Sequence, residues 1–301
     1  MPLRQHRALL ASLVASLLTL ACGEERTGTL PNPFGAFNFT LESRTPADQV
    51  GLLDAYGYEG MVLFWPGEEG FNAFAATQQV RGGTFRMRAV LLDFHFEPDW
   101  NRAELDSLLA TLAPHGTDLW LILGNPASRH EARVSAVREL TSMATARGVR
   151  VVLYPHEGAG VATAEESLAL IDAVGLPELQ TSLHLCHELK AGHRDRLAEV
   201  ITAAAPRLAL ASIHGASRDT SAPGWSTTIM PLDRGDLDVQ NQYLLPLARA
   251  GYTGPILLHT FGIEESPEAH FRRSLEAWRR MERAVAAELV PATADASVTR
   301  Q

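Results

Sequence analysis

The chain has 301 residues, 46% hydrophobic and 20% charged, a globular composition with ample material for one large core. Its formal net charge is −9 and no basic stripe runs along it, which excludes a nucleic-acid partner gripped through its phosphates.

At the start, Arg4, His6 and Arg7 form a short basic region, followed by an apolar run over 8–21. That run is too short and too rich in small residues for a comfortable membrane span and reads as an export signal. LTLAC at 18–22 resembles the bacterial lipoprotein signal, although Thr19 stands where Leu is common. The expectation is a signal peptide over 1–21, lipidation at Cys22, and a polar Gly- and Pro-containing tether over 22–34. The protein would be exported and held at the periplasmic or outer-membrane side, meeting membrane only through the anchor. Cys186 is then the one remaining thiol, so the fold rests on core burial rather than on disulfides.

Beyond the tether, short apolar runs alternate with helical patterns. Strands are predicted at 36–41, 59–65, 85–93, 117–123, 150–155, 179–186, 207–214 and 254–260, each rich in the residues a strand covered on both faces needs. Helices are predicted at 46–56, opened by Pro46, and at 99–113, with Leu105, Leu108, Leu109 and Leu112 at helical spacing. Further helices are expected at 128–147, 164–174, 190–205, 238–250 and 267–289, and Thr163 with Glu166 forms a capping-box signature. Eight such alternations predict a single α/β domain over 35–289, a closed (β/α)8 TIM barrel, with a disordered tail over 290–301. No GxGxxG follows the first strand and no GxSxG occurs, so dinucleotide binding and serine hydrolysis have no support.

Four of the strands end in histidine: VVLYPHEG at 151–158, SLHLCH at 182–187, ALASIHG at 209–215 and PILLHT at 255–260. In a parallel barrel this C-terminal rim carries the chemistry, and imidazole is both a common metal ligand and a proton carrier. A lone histidine at a strand end is usually a satisfied core residue, whereas four in successive strands point to a functional pocket. The segment 215–237 is long for a connection and is expected to fold over the mouth, bringing Trp225 or Arg234 to a ligand.

PLDRGDLDV at 231–239, LLPLARAGYTGPILLH at 244–259, YPHEG at 154–158 and LCHELKAG at 185–192 resemble the xylose isomerase-like barrels. These include sugar and sugar-phosphate isomerases and epimerases, inosose dehydratases and the endonuclease IV group. The resemblance, over about 36–285, implies the barrel and a metal site with one ligand each from strands five to eight, usually Glu, Asp, His and Glu. The last three fall on His184, His214 and His259. The first falls near Ala162, which has no ligating group, and Glu157 stands close by as a substitute. Histidine-rich ligation suits a divalent transition metal of the zinc type better than magnesium or calcium.

His156, His187 and Lys190 are the proton-transfer candidates. Trp65 and Trp225 are candidates for stacking on a sugar, and Asp93, His95 and Arg234 for binding its substituents. Each has a structural alternative, packing for the tryptophans and a rim ion pair for Asp93 with His95. The resemblance implies an isomerase, epimerase or lyase acting on a small carbohydrate by metal-assisted proton abstraction next to a carbonyl, or by loss of water. The rival expectation is a carbohydrate-binding lipoprotein that has kept the barrel and lost catalysis.

Overall fold

The computed structural model describes residues 28–81, 83–97 and 99–290. The signal segment, Cys22, the first part of the tether and the tail from 291 onward lie outside the described residues. Eight parallel strands close into a barrel in sequence order: β1 (Phe34–Phe37), β2 (Gly60–Phe64), β3 (Arg86–Phe94), β4 (Asp118–Leu123), β5 (Val151–Leu153), β6 (Gln180–His184), β7 (Leu208–Ile213) and β8 (Ile256–Leu258). Closure is made by β1 against β8, with Phe34 opposite Ile256 and Ala36 opposite Leu258. Among the described residues no helix is long and apolar enough to cross a membrane.

Strand alternation sorts the side chains into two cores. Phe37, Val62, Leu91, Trp120, Val152, Tyr154, Leu210 and Leu257 fill the barrel interior. Their sequence neighbours, such as Met61, Val90, Leu121 and Leu153, face the ring of helices. The same parity sends His184, His214 and His259 inward, because they stand two residues beyond Ser182, Ser212 and Leu257.

The helices are α1 (Pro46–Tyr56), α2 (Gly67–Arg81), α3 (Arg102–Leu112), α4 (His130–Ala146), α5 (Ala164–Val174), α6 (Leu185–Lys190), α7 (Leu197–Ala204), α8 (Leu245–Arg249) and α9 (Pro267–Leu289). Caps explain several boundaries. Thr45 accepts from the Asp48 amide and Pro46 opens α1, while Gly57 closes it at φ 96°. Thr163 accepts from the Glu166 amide, but Glu166 reaches back to the Ala162 amide rather than to that of Thr163. Ser266 caps α9.

The structure departs from expectation in five places. The first strand begins at Phe34 and ends at Phe37, because residues 38–41 turn, with the Leu41 amide donating to the Asn38 carbonyl at 2.7 Å. Helix α2 has no counterpart in the predicted elements. Its two glycines and weak amphipathic pattern hide it, and burial of Phe71, Phe74 and Ala75 holds it. The stretch expected as the end of a strand at 185–186 is already helix α6, so Cys186, His187 and Lys190 sit on a helical turn. The helix expected at 190–205 is consequently split, with Gly192 at φ 81° after α6 and α7 starting at Leu197. The 238–250 helix begins as a π turn over Gln240–Leu244. Pro246 has no amide hydrogen to give to residue 242, and the Leu245 amide bonds Gln240 instead.

Candidate functional site

At the C-terminal end of the barrel lies a cavity of about 200 Å³. Its walls are Phe39, Phe64, Leu91, Ile122, Trp225, Ile229 and Phe261, and its polar side chains are Tyr154, His156, His187 and His259. Among the described residues no carboxylate, lysine or arginine lines it.

The floor is a hydrogen-bonded stack. The Ser182 hydroxyl donates to the Leu153 carbonyl at 2.8 Å, so toward its other neighbours it can only accept. It therefore accepts from Trp120 Nε1–H at 2.7 Å and from His184 Nε2–H at 2.9 Å. That leaves His184 Nδ1 as a lone pair, taken by the Ser212 hydroxyl at 3.0 Å. His184 stacks on Tyr154 with ring centres 3.7 Å apart. His214 Nδ1–H donates to the Gly215 carbonyl at 3.0 Å, and its buried Nε2 has no partner among the described residues. His259 Nδ1 accepts from the Phe261 amide at 3.4 Å, and its Nε2 faces the Tyr154 hydroxyl at 3.5 Å. His187 Nδ1 accepts from the Glu157 amide at 3.3 Å, which puts its proton on Nε2, again buried without a partner among the described residues.

Burial holds the His184, His187 and His259 imidazoles well below the usual histidine range, and neighbouring imidazoles push in the same direction. Burial takes His214 down to about 4, against a smaller opposing effect of its bond to Gly215. All four rings are neutral at physiological pH. Burial likewise raises the Tyr154 hydroxyl and the Cys186 thiol, so neither supplies an anion.

The proposed metal set is not assembled. Among the described residues no three His, Cys, Asp or Glu side chains are grouped to hold an ion. The reason is visible in the lone pairs: His184 gives its lone pair to Ser212, and His259 gives Nδ1 to the Phe261 amide. His214 and His259 meet edge to face with centres 6.0 Å apart. Glu157 is exposed, and only its backbone amide reaches His187. His214 Nε2 keeps its lone pair, but the set does not close on a zinc-type ion without breaking the bonds to Ser212 and the Phe261 amide.

The other candidates fall into three groups. His156 and His187 do meet, with ring centres 4.2 Å apart, and Trp225 covers them from the long loop at 6.3 and 5.2 Å. The loop folds over the mouth, pinned by a Gly215–Met230 bridge and by the Arg218 amide on Asp236. A side chain at Gly215 would meet the Pro231 and Arg234 carbonyls, so only glycine permits that fold. Lys190 lies outside the cavity. It donates to the Thr220 and Ala222 carbonyls at 3.2 and 2.9 Å and sits 5.7 Å from the Trp225 ring centre, which makes it a strap on this loop. Arg234 is exposed and does not line the cavity. Trp65, Asp93 and His95 line a separate groove of about 260 Å³, where Asp93 and His95 pair at 3.2 Å and Trp65 packs on Phe71.

Sequence reasoning missed Tyr154, Ser182, Ser212 and the three rim phenylalanines. The serines had a readable signal, a small polar residue two places before a strand-end histidine in an otherwise apolar run.

A family profile, the xylose isomerase-like TIM barrel, matches residues 124–281. No curated protein sequence matches the chain. Among solved structures, similarity extends to a probable 3-DHS dehydratase from Bacillus anthracis, at 15% identity and TM-score 0.67 over 81% of this chain and 97% of that one. The IOLI protein with a bound zinc atom aligns at 13% identity and TM-score 0.66, over 85% and 98% of the two chains. The 3-keto-D-glucoside 4-epimerase YcjR of E. coli aligns at 16% identity and TM-score 0.64, over 83% and 99%. At such identities the likeness establishes the barrel.

Proposed function

Because the chain belongs to the xylose isomerase-like TIM barrel family, we propose that its mouth cavity binds a small uncharged carbohydrate, or a ring derived from one, between Trp225 and the imidazole cluster. The observation that carries this reading is the cavity lining: aromatic walls, hydrogen-bonding rings and, among the described residues, no carboxylate, lysine or arginine. Aromatic faces suit the C–H faces of a pyranose, and imidazoles and a tyrosine hydroxyl suit its hydroxyls. A phosphorylated or carboxylated sugar would be desolvated there with no cation to meet it. The 3-keto-D-glucoside 4-epimerase among the similar structures supports the substrate class.

Binding fits the lining better than metal-assisted isomerisation. The lone pairs of His184 and of His259 Nδ1 are already taken within the stack, and burial lowers His187, which weakens it as a base. The enzymatic reading, an isomerase, epimerase or lyase, retains one specific observation in its favour. His156 and His187 face each other at the cavity, and His187 carries an unpartnered Nε2–H suited to donate to a carbonyl.

Thermal denaturation with neutral pyranoses and their phosphates, with and without prior chelation, tests the reading. A neutral ligand at 100 times its Kd adds about 2.7 kcal/mol, a rise of roughly 5 °C for a domain of this size. Stabilisation by sugar phosphates alone would overturn it. Binding that chelation abolishes and zinc restores would return the histidines to the metal reading. Interconversion of the bound sugar, lost in His187→Gln, would establish the enzyme.

A further inference from the structure

The mouth cavity, at about 200 Å³, has room for one sugar ring, yet the aromatic rim continues past it. A second cavity of about 280 Å³ adjoins the first and shares Phe39 and Phe261 with it. Its remaining wall is mixed, with Ile263 and Pro267 beside Thr40, Glu42 and Glu265, which bring hydroxyl and carboxylate groups. Glu265 is held in place by Arg273 at 3.1 Å and His270 at 3.3 Å, while Glu42 is exposed. The Thr40 hydroxyl is buried with no partner among the described residues.

Phe261 is 46% exposed and Phe64 43% exposed, the two exposed aromatic rings among the described residues, and both stand at this mouth. Exposed rings gathered at one opening mark a contact surface, because water is a poor neighbour for them. Phe261 reaches its place through the turn after β8, where its amide bonds His259, so the inner floor and the outer wall are set by one segment.

We propose that the outer cavity is a second subsite for a hydroxyl-bearing ring, so that the ligand is a disaccharide or a comparable glycoside lying across Phe261. This rests on the carbohydrate reading of the inner cavity. The inner ring is enclosed among aromatic residues, and the outer ring packs on Phe39 and Phe261 while its hydroxyls donate to Glu42 and Glu265. The exposed Glu42 carboxylate disfavours an anionic substituent in that position.

Titration calorimetry with methyl pyranosides of gluco, galacto, manno and xylo configuration, and with the matching 1,4-linked disaccharides, tests it. The expected result is a disaccharide that binds about tenfold or more tightly than its own methyl glycoside, the increment of burying one further ring face. Thr40→Val and Glu42→Gln together should bring that disaccharide down to the level of the methyl glycoside. Methyl glycosides that bind while disaccharides gain nothing overturn the second subsite alone. A gain that survives the double substitution places the second ring elsewhere and also overturns it. No binding in either series overturns the carbohydrate reading together with this inference.

Discussion

Four neutral, buried imidazoles make the stability of this barrel steeply dependent on pH below neutrality. His184, His187, His214 and His259 have native pKa values below the unfolded value of about 6.5, chiefly through burial. As pH falls through 6.5 the unfolded chain takes up protons that the folded chain refuses, so stability falls with pH. For His214, with a native value of about 4, the loss runs from about pH 6.5 down to 4. For His214 this costs about 1.4 kcal/mol between pH 7.5 and 5.5, and His184, His187 and His259 add to it in the same direction. Asp118 and Glu188 work the other way, since burial raises both carboxyls and acid relieves them. The single-site comparison isolates the imidazole contribution. Guanidinium unfolding at pH 7.5, 6.5 and 5.5 should show the parent losing several kcal/mol, with His214→Gln losing about 1.4 kcal/mol less over the same interval. Equal losses in parent and variant would refute the neutral buried state of His214.

Three further outcomes are expected. Ser182→Ala strips the Trp120 indole and His184 Nε2–H of their shared acceptor, and should cost roughly 2–4 kcal/mol in the same unfolding assay; a loss under about 0.5 kcal/mol would mean the stack is not held by that hydroxyl. Lys190→Met removes the strap from residues 220 and 222, and should raise acrylamide quenching of Trp225 and amide exchange over 218–229; Lys190→Arg should restore most of the protection, and no change in either variant would make the strap ornamental. Replacing Cys22 with Ser should move the protein from the membrane to the soluble fraction if the N-terminal signal is read correctly; continued sedimentation with membranes would refute the anchor.

Much of the barrel was legible because its strands are covered on both faces and its helices on one. Those two burial patterns leave different periodicities in the chain. Caps such as Thr45 with Pro46 and Thr163 with Glu166 are local chemistry, so the starts of α1 and α5 could be read from neighbouring residues alone. Strand parity also determined that His184, His214 and His259 face the barrel interior, since a residue two places along a strand returns to the same face. Helix α2 was not legible, because its glycine-bearing sequence becomes helical only where Phe71 and Phe74 find the sheet. The use of the histidines was not legible either. Whether an inward imidazole offers a lone pair or a proton depends on which distant group reaches its other nitrogen. Here those groups are Ser182 and Ser212 for His184, the Gly215 carbonyl for His214 and the Phe261 amide for His259. Lys190 and Arg234 left the site for the same reason: sequence places a residue near a rim, but only the packed loop decides which side of Trp225 it occupies.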